Sequence, residues 1–493
     1  MTVNRPNSLT STMASLRPIE AFAVPSEAVF QSGCRLEGSF YGSDGYRATR
    51  ALFRSRFELP FIGDHAEVFN PPIFKRVYVD DETHGVPYLT GSGLLEARPA
   101  KEVFLSRTLT DCLEELAIRE GMILVSDSGT IGRTVLATPE IDGWASTNNL
   151  IRVISKDVTR VSQEYLYAYL ITLVGQYMLT RNTYGSVVEH IEPSHVRKTP
   201  FPILPTRLRE RLTEMIEDVC RLRVEANALL DEAEVEVQRQ CKLPHLNSNL
   251  QNSQIAFVRS SCDILESASI LGSLRLDASA YDPEASAVRG VIAKGFHEEL
   301  RRLCKEIIYI GKVYRVPVED KRFGAPLLSG KDLVMIRPAG EKFLSVLNAK
   351  HIERCRLHHN WVLVSCSGNI GRVAMCYRNF EGYVGSEHML RVICNENTIN
   401  PFYVSAFLSS SYGQAQMQAA TYGSVIPEFS KDQLGHLLIA IPGDRGKAIG
   451  TIVKSAYDKK ADASALEDEA IHIFETAIEE GKETTEKKWG REY

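Results

Sequence analysis

The sequence has no stretch approaching the ~18 consecutive uncharged apolar residues that a membrane-spanning helix needs. From Met1 to Leu16 it is polar, with no apolar run behind a basic start of the kind a secretory signal carries. The expectation is a cytoplasmic protein. Nor is there any C-x-x-C pair. The ten cysteines are scattered from Cys34 to Cys394, which argues against a zinc site or a disulfide framework and leaves small buried hydrophobes as their reading. A large positive charge is missing as well. The net charge is -5, which by itself argues against a surface coated in phosphate contacts. The balance is uneven: -3 for residues 1–205, -2 for 206–243, +3 for 244–442 and -3 for 443–493. Part of the negative charge falls in two helical segments, and a local basic cleft elsewhere is compatible with it.

What is present is a duplication. Thr183-Tyr184-Gly185-Ser186-Val187 recurs letter for letter at Thr421-Tyr422-Gly423-Ser424-Val425, and internal repeats are the first thing to settle in a chain this long. Other matches follow at nearly the same offset. Arg35-Leu36-Glu37 with Ser39 and Tyr41 matches Arg275-Leu276-Asp277 with Ser279 and Tyr281, and Pro87 to Gly91 matches Pro326 to Gly330. Ile123-Leu124-Val125-Ser126-Asp127-Ser128-Gly129-Thr130-Ile131-Gly132-Arg133 matches Val362-Leu363-Val364-Ser365-Cys366-Ser367-Gly368-Asn369-Ile370-Gly371-Arg372. Each member of this last pair reads as strand, glycine turn, strand. The S-G-x-I-G-R turn has no Lys-Ser/Thr ending and no helix signal after it, so its glycines supply positive φ rather than a phosphate cradle. Leu150 to Ile154 and Met389 to Ile393 are matching strands.

The period then changes from strand to helix, from Ser162 to Met178 and from Asn400 to Met417, with Asn400 as N-cap and Pro401 at the first helical position. Both helices feed into T-Y-G-S-V. A strand closed by proline is expected next in each copy, at Phe201 to Pro205 and at Leu438 to Pro442. Beyond each proline the pattern becomes a long helix. Leu208, Leu212, Met215, Val219, Leu222, Ala226, Leu229 and Ala233 keep four-three spacing, the a/d seam of a coiled coil. Ile449, Ile452, Ala456, Lys459, Ala463, Leu466, Ala470, Ile473 and Ala477 repeat it, interrupted only by Lys459. A lysine stem lying along the seam with its ammonium in water is one reading of that interruption, a register-setting role the other. Some 35 residues at 1.5 Å each span ~50 Å, and so narrow a seam wants the other copy as its partner. The fold class is therefore α+β: two similar globular units separated by two long helices that form an antiparallel coiled coil, related by a pseudo-two-fold axis. The expected boundaries are a polar leader at 1–30, a globular unit at 31–205, a helix at 206–243, a second unit at 244–442, a second helix at 443–480 and a charged tail at 481–493.

This order of turns, aromatic-rich helices, proline-closed strands and heptad helices, found twice, resembles the DNA-specificity (S) subunit of a Type I restriction-modification system. The resemblance covers about residues 30–480. It implies two target-recognition domains that each read one half of a split, asymmetric double-stranded DNA site, with the helix pair as a ruler. It implies two methyltransferase subunits and restriction-translocase subunits as partners, with S-adenosylmethionine, ATP and magnesium bound by those partners and no catalytic residue in this chain.

Candidate DNA contacts are basic residues in irregular stretches: Arg47, Arg50, Arg54, Arg56, Lys75 and Arg76 in the first unit, and Arg301, Arg302, Lys305, Lys312, Arg315, Lys321 and Arg322 in the second. Tyr184, Ser186, Tyr422 and Ser424 join them because a glycine turn presents its neighbours to a ligand. Arg133 and Arg372, beside turn glycines, are read as anchors of the fold. Each candidate has a plainer reading, a solvated surface charge or a turn locking helix to strand. Two rival functions stand beside DNA recognition. One is a coiled-coil scaffold with two protein-binding modules. The other is an enzyme, suggested by Asn70-Pro71-Pro72-Ile73 (near the N-P-P-aromatic element of adenine methyltransferases), by the E-x-K spacing of Glu319-Asp320-Lys321 and by His358-His359-Asn360.

Overall fold

The computed structural model describes residues 23–24, 26–31, 36, 38–129, 131–180, 190–246, 258, 260–262, 264–265, 275–318, 323–337, 342–347, 349–423 and 426–481. The first unit holds two four-stranded sheets. One has the order β1 (Ala66–Phe69), β8 (Leu150–Ser155), β5 (Ile123–Ser126), β6 (Thr134–Leu136), all antiparallel. The other has the order β2 (Tyr78–Val79), β4 (Phe104–Ser106), β3 (Gly85–Leu89), β7 (Ala145–Ser146), with β3 and β7 parallel. The second unit repeats this strand for strand: β10 (Cys304–Ile308), β17 (Met389–Cys394), β14 (Val362–Ser365) and β15 (Val373–Met375) in one sheet, β11 (Pro317–Val318), β13 (Phe343–Ser345), β12 (Gly324–Leu328) and β16 (Val384–Gly385) in the other. Even the register is copied: Ile123 faces Leu136 as Val362 faces Met375.

The unbroken apolar runs in β5 and β14 have a simple cause. Side chains alternate across a strand, and both faces of these sheets are covered. Ile123 and Val125 point into a core shared with the helices, while Leu124 points into a second core with Trp144 and Leu150. In the copy, Val362 and Val364 face the helices and Leu363 the other side. The helices in question are α1 (Asp44–Arg54), α2 (Gln163–Leu170) and α3 (Leu173–Thr180) in the first unit. Then comes the long α4 (Thr206–Gln240), followed by α5 (Pro401–Ser409) and α6 (Ser411–Ala420) of the second unit and the long α7 (Lys447–Glu480). Asn400 caps α5, its side chain accepting from Phe402 and Tyr403 amides, with Pro401 at the first position. Of the two expected proline-closed strands, one forms at β18 (Leu438–Ala440), paired with β9 (His297–Glu299). The stretch before Pro205 makes only isolated bridges, Glu58 with Ile203 and Phe61 with Pro200. The sequence expectation is corrected there: its amides are bonded by an irregular segment that supplies no continuous ladder.

Helices α4 and α7 pack antiparallel. Arg211 meets Glu469 at 3.1 Å, Arg223 meets Glu467 at 2.9 Å and Lys459 meets Glu225 at 2.5 Å, so positions rise along one helix as they fall along the other. Lys459 therefore bridges to the partner helix, where the seam is crossed by charge instead of by a methyl group. The seam does not account for all the burial. A second stripe on α7, including Phe474 and Ile478, enters the core of the first unit, and Ala233 and Val237 of α4 enter that of the second. Phe474 stacks on Tyr165 at 5.3 Å between ring centroids. Each globular core is thus completed by the helix that follows the other unit.

Between the units and the helix pair lies a cavity of about 1100 Å³, lined among others by Arg98, Glu140, Leu230, Ala406 and Lys460. The equivalent place across the pseudo-two-fold axis is filled. There Tyr167 stands where the copy has Ser405, Glu467 where it has Leu230, and Arg223 where it has Lys460. The carboxylate of Glu467, with no exposed side-chain surface, accepts from Arg223, from Arg337 Nε at 3.0 Å and from Tyr167 Oη at 2.8 Å. Burial alone would raise its pKa, but Arg223 and Arg337 outweigh it and hold it below the ordinary value.

Candidate nucleic-acid interface

In each unit four segments converge on one edge of the main sheet: the loop after its first strand, the glycine turn, the residues after the parallel pair, and the chain returning from T-Y-G-S-V. In the first unit Asn70 Nδ2 donates to Asp127 at 3.0 Å, the Asp127 amide donates to the Asn149 carbonyl at 3.2 Å, and the Ile191 amide donates to the Asp127 carbonyl at 3.0 Å. Arg76 Nη2 approaches Thr147 Oγ1 at 3.5 Å. In the second unit the Cys366 amide donates to the His388 carbonyl at 3.1 Å, the Phe429 amide to Cys366 at 2.9 Å and the Gly368 amide to Pro427 at 3.0 Å. Arg315 Nη2 pairs with Glu387 at 2.8 Å. The turns need their glycines. Gly129, Gly132, Gly368 and Gly371 all have φ between 73° and 85°, the left-handed region that costs other residues energy.

Two buried arginines fix this edge. Arg152 of β8 donates to the carbonyls of Glu115 (2.7 Å), Leu116 (2.5 Å) and Ala117 (3.0 Å) and to Ser146 Oγ (2.9 Å). Arg391 of β17 donates to the carbonyls of Met389 (2.7 Å), Gly385 (2.8 Å) and Ser386 (3.1 Å). Burial lowers each guanidinium to about 10, still fully charged at neutral pH. Each pins the end of the parallel strand from which the segment 146–149 or 385–388 departs. The sequence carries the signal, a charge inside the otherwise apolar Leu150-Ile151-Arg152-Val153-Ile154 and Met389-Leu390-Arg391-Val392-Ile393, but neither arginine was singled out from it.

The sequence candidates fall in several places. Lys75 and Arg76 lie exposed on the loop 70–77, and Lys312 and Arg315 lie exposed on the loop 309–316. Of all the candidates described, Arg76 and Arg315 occupy equivalent positions in the two units, each against the segment after the parallel pair. Ile73 and Tyr314 project from the same two loops, 88% and 72% exposed. Lys305 is exposed on β10. Arg47, Arg50, Arg54 and Arg56 form a separate group along and just past α1. The Arg47 guanidinium donates to the Gly42 carbonyl at 2.7 Å, and the Arg56 amide donates to Gly481 at the end of α7 at 2.8 Å. Arg301 and Arg302 lie in the short helix Leu300–Leu303 beside acidic neighbours, Arg301 at 2.7 Å from Glu299 and Arg302 at 3.6 Å from Glu298. Tyr422 is partly exposed and exchanges two backbone hydrogen bonds with Glu428, at 2.9 and 2.7 Å. Tyr184, Ser186, Lys321, Arg322 and Ser424 lie outside the described residues, as do Glu319 and Asp320. Asn70 to Ile73 is part of the first converging loop. His358 stacks edge-on with Trp361 and His359 lies against Tyr377 and Glu381. Among the described residues no group of three side chains is placed to hold a metal ion, and no helix is long and apolar enough to cross a membrane.

Residues 322–467 match a family model described as the Type I restriction modification DNA specificity domain. The second unit resembles this specificity family. The first unit repeats the two four-stranded sheets of the second, with only isolated bridges where the second has β9 and β18, and lies outside the matched residues. The family is one of DNA specificity and not of catalysis. No curated protein matches the chain. Among solved structures, the chain is similar to the Type-I restriction-modification system S subunit from M. genitalium, at 11% identity, covering 87% of this chain and 97% of that one with a TM-score of 0.28. It is also similar to the HsdS subunit from Thermoanaerobacter tengcongensis, at 13% identity, covering 86% and 96% with a TM-score of 0.26.

Proposed function

We propose that this chain recognises a bipartite, asymmetric double-stranded DNA site, one half-site per unit, and directs methyltransferase and restriction subunits to it. The match of residues 322–467 to a DNA specificity domain carries the reading, and the duplicated units with unlike side chains on equivalent edges support it. Where one unit presents Asn148 and His190, the other presents Glu387 and Glu428, and unlike donors and acceptors read unlike bases. The loops 70–77 and 309–316 carry the contacts, with Arg76 and Arg315 at their centres and Lys75 and Lys312 beside them. Lys305 and Tyr422 extend the two faces, and Tyr184, Ser186, Ser424, Lys321 and Arg322 are kept as DNA contacts from the sequence alone. S-adenosylmethionine, ATP and magnesium stay with the partner subunits.

A footprint with a co-purified methyltransferase, repeated over a salt titration, tests this. Two protected half-sites separated by an unprotected spacer are expected, with affinity falling steeply as salt rises. No protection in the presence of that partner would sink the reading. Methylation or cleavage by this chain alone would replace it with an enzymatic one.

A further inference from the structure

The two units touch each other directly, through the same segment of each. The Ala97 amide donates to the Val334 carbonyl at 2.7 Å and the Ile336 amide donates to the Leu95 carbonyl at 2.7 Å, so that Glu96 and Met335 face each other as an antiparallel bridge. Leu95 to Ala97 and Val334 to Ile336 are the same stretch of the two repeats, so the pseudo-two-fold axis passes between Glu96 and Met335. The last residue of the second S-G-x-I-G-R motif reaches across this contact. Arg372 of the second unit donates to Glu96 of the first at 3.0 Å and to the Lys331 carbonyl at 3.3 Å, while the half-buried Arg133 of the first unit lies within electrostatic range of Asp332 of the second. Ile336 packs against the first unit's own core beside Trp144. One residue further on, Arg98 ties its segment to Asp231 of α4, and Arg337 ties its segment to Asp468 of α7.

We propose that this clasp, together with the helix pair, sets the distance between the two reading edges, with Arg372 as the positioning residue. The inference rests on the proposed function only for what the distance is used for. Its physical basis is closure. Two units at the ends of a lone helix pair could swing about their junctions, since helix ends and loops absorb rotation at small cost. Two units joined by helices and also bonded to each other form a closed frame, in which neither distance can change without breaking a bonded contact. Helix length alone then does not dictate the spacer. A seven-residue insertion in both α4 and α7 would have to open the clasp first.

The test needs a DNA-free arm and a DNA arm. In the first, spin labels on unnatural residues at the exposed positions 159 and 397 report the separation of the units in the full-length chain. A single narrow distance is expected in the parent, broadened in Ala97→Pro, which removes one bridging amide, and in Glu96→Ala with Arg372→Ala. The swap Glu96→Arg with Arg372→Glu should restore the narrow distance, which separates loss of the clasp from loss of folding. An unchanged narrow distance in both opened variants would overturn the proposal. In the second arm, binding of the complex with methyltransferase is compared on DNA whose spacer is one base pair shorter or longer. Opened variants should lose the preference for one spacer while keeping the half-site sequence preference, and a retained spacer preference would equally overturn it. If the parent binds no DNA at all, the proposed function fails, while the distance arm still decides whether the clasp holds the units.

Discussion

Tyr167 and Glu467 lie 300 residues apart in the chain, and the phenol of one donates to the carboxylate of the other at 2.8 Å in a site where both side chains are buried. The bond joins the first unit to the last helix. Because Arg223 and Arg337 converge on the same carboxylate, removing it strands the largely buried Arg223 guanidinium and leaves Arg337 with Asp468. Glu467→Ala is expected to cost about 3–5 kcal/mol of stability, read as a shift in the urea midpoint. The double change Glu467→Leu with Arg223→Leu should cost less than Glu467→Ala, because fewer charges are left buried.

Arg152→Met and Arg391→Met each remove the donors to three carbonyls, all three buried around Arg391 and one of the three around Arg152. A loss on the order of 2–4 kcal/mol is expected from unsatisfied groups. Lysine at either place should recover only part of it, because one ammonium cannot copy the planar fork. Beyond stability, Arg152→Met should weaken protection of one half-site and Arg391→Met that of the other, as seen by footprinting at a temperature where both variants stay folded.

Arg76→Ala and Arg315→Ala test the two converging loops separately. If each arginine meets a phosphate, each variant lowers the slope of log affinity against log salt by about 1 without changing sequence preference. Relaxed preference at a single base pair in one half-site would instead mark base readout. Neither change should alter the half-site read by the other unit.

Lys460 gives a pH signature. Burial at the cavity wall, then the neighbouring Arg98, push its ammonium down to about 8. The folded chain therefore releases this proton before the unfolded chain does. Between about pH 8 and the ordinary lysine range the unfolded state binds more protons, so this group makes stability rise with pH there and contributes no slope below pH 8. Lys460→Met should abolish that rise and be more stable than the parent below pH 8, by on the order of 2 kcal/mol once solvent in the cavity is allowed for. Urea unfolding of both proteins at pH 7 and pH 9.5 checks the sign.

The parts of the fold legible in the sequence are those with local causes. The repeat is visible in letters such as Ser128-Gly129 and Ser367-Gly368, the helix start at Asn400 and Pro401 follows from capping, and the four-three spacing of α4 and α7 follows from the seam they bury. The clasp was not legible. Glu96 and Met335 share no complementary chemistry, and their pairing is made by backbone groups that every residue carries. Arg133 and Arg372 were seen beside the turn glycines, but which neighbour they reach depends on how the units are placed, a relation that spacing does not encode. Equivalence across the repeat is what singles out Arg76 and Arg315 from the other basic candidates, and the unlike residues of the two loops around them hid it.

The stacking of Phe474 on Tyr165 and Tyr169 has a consequence in time. Both tyrosines leave the ribosome roughly 300 residues before the helix that covers them, at ~5–20 residues per second a wait of roughly 15–60 s. Through that interval the unit synthesised first holds an uncovered aromatic socket, and it is the last to be closed. Nascent chains arrested just before α7 should therefore be the species that chaperones bind and proteases cut, and release of the final helix should end both.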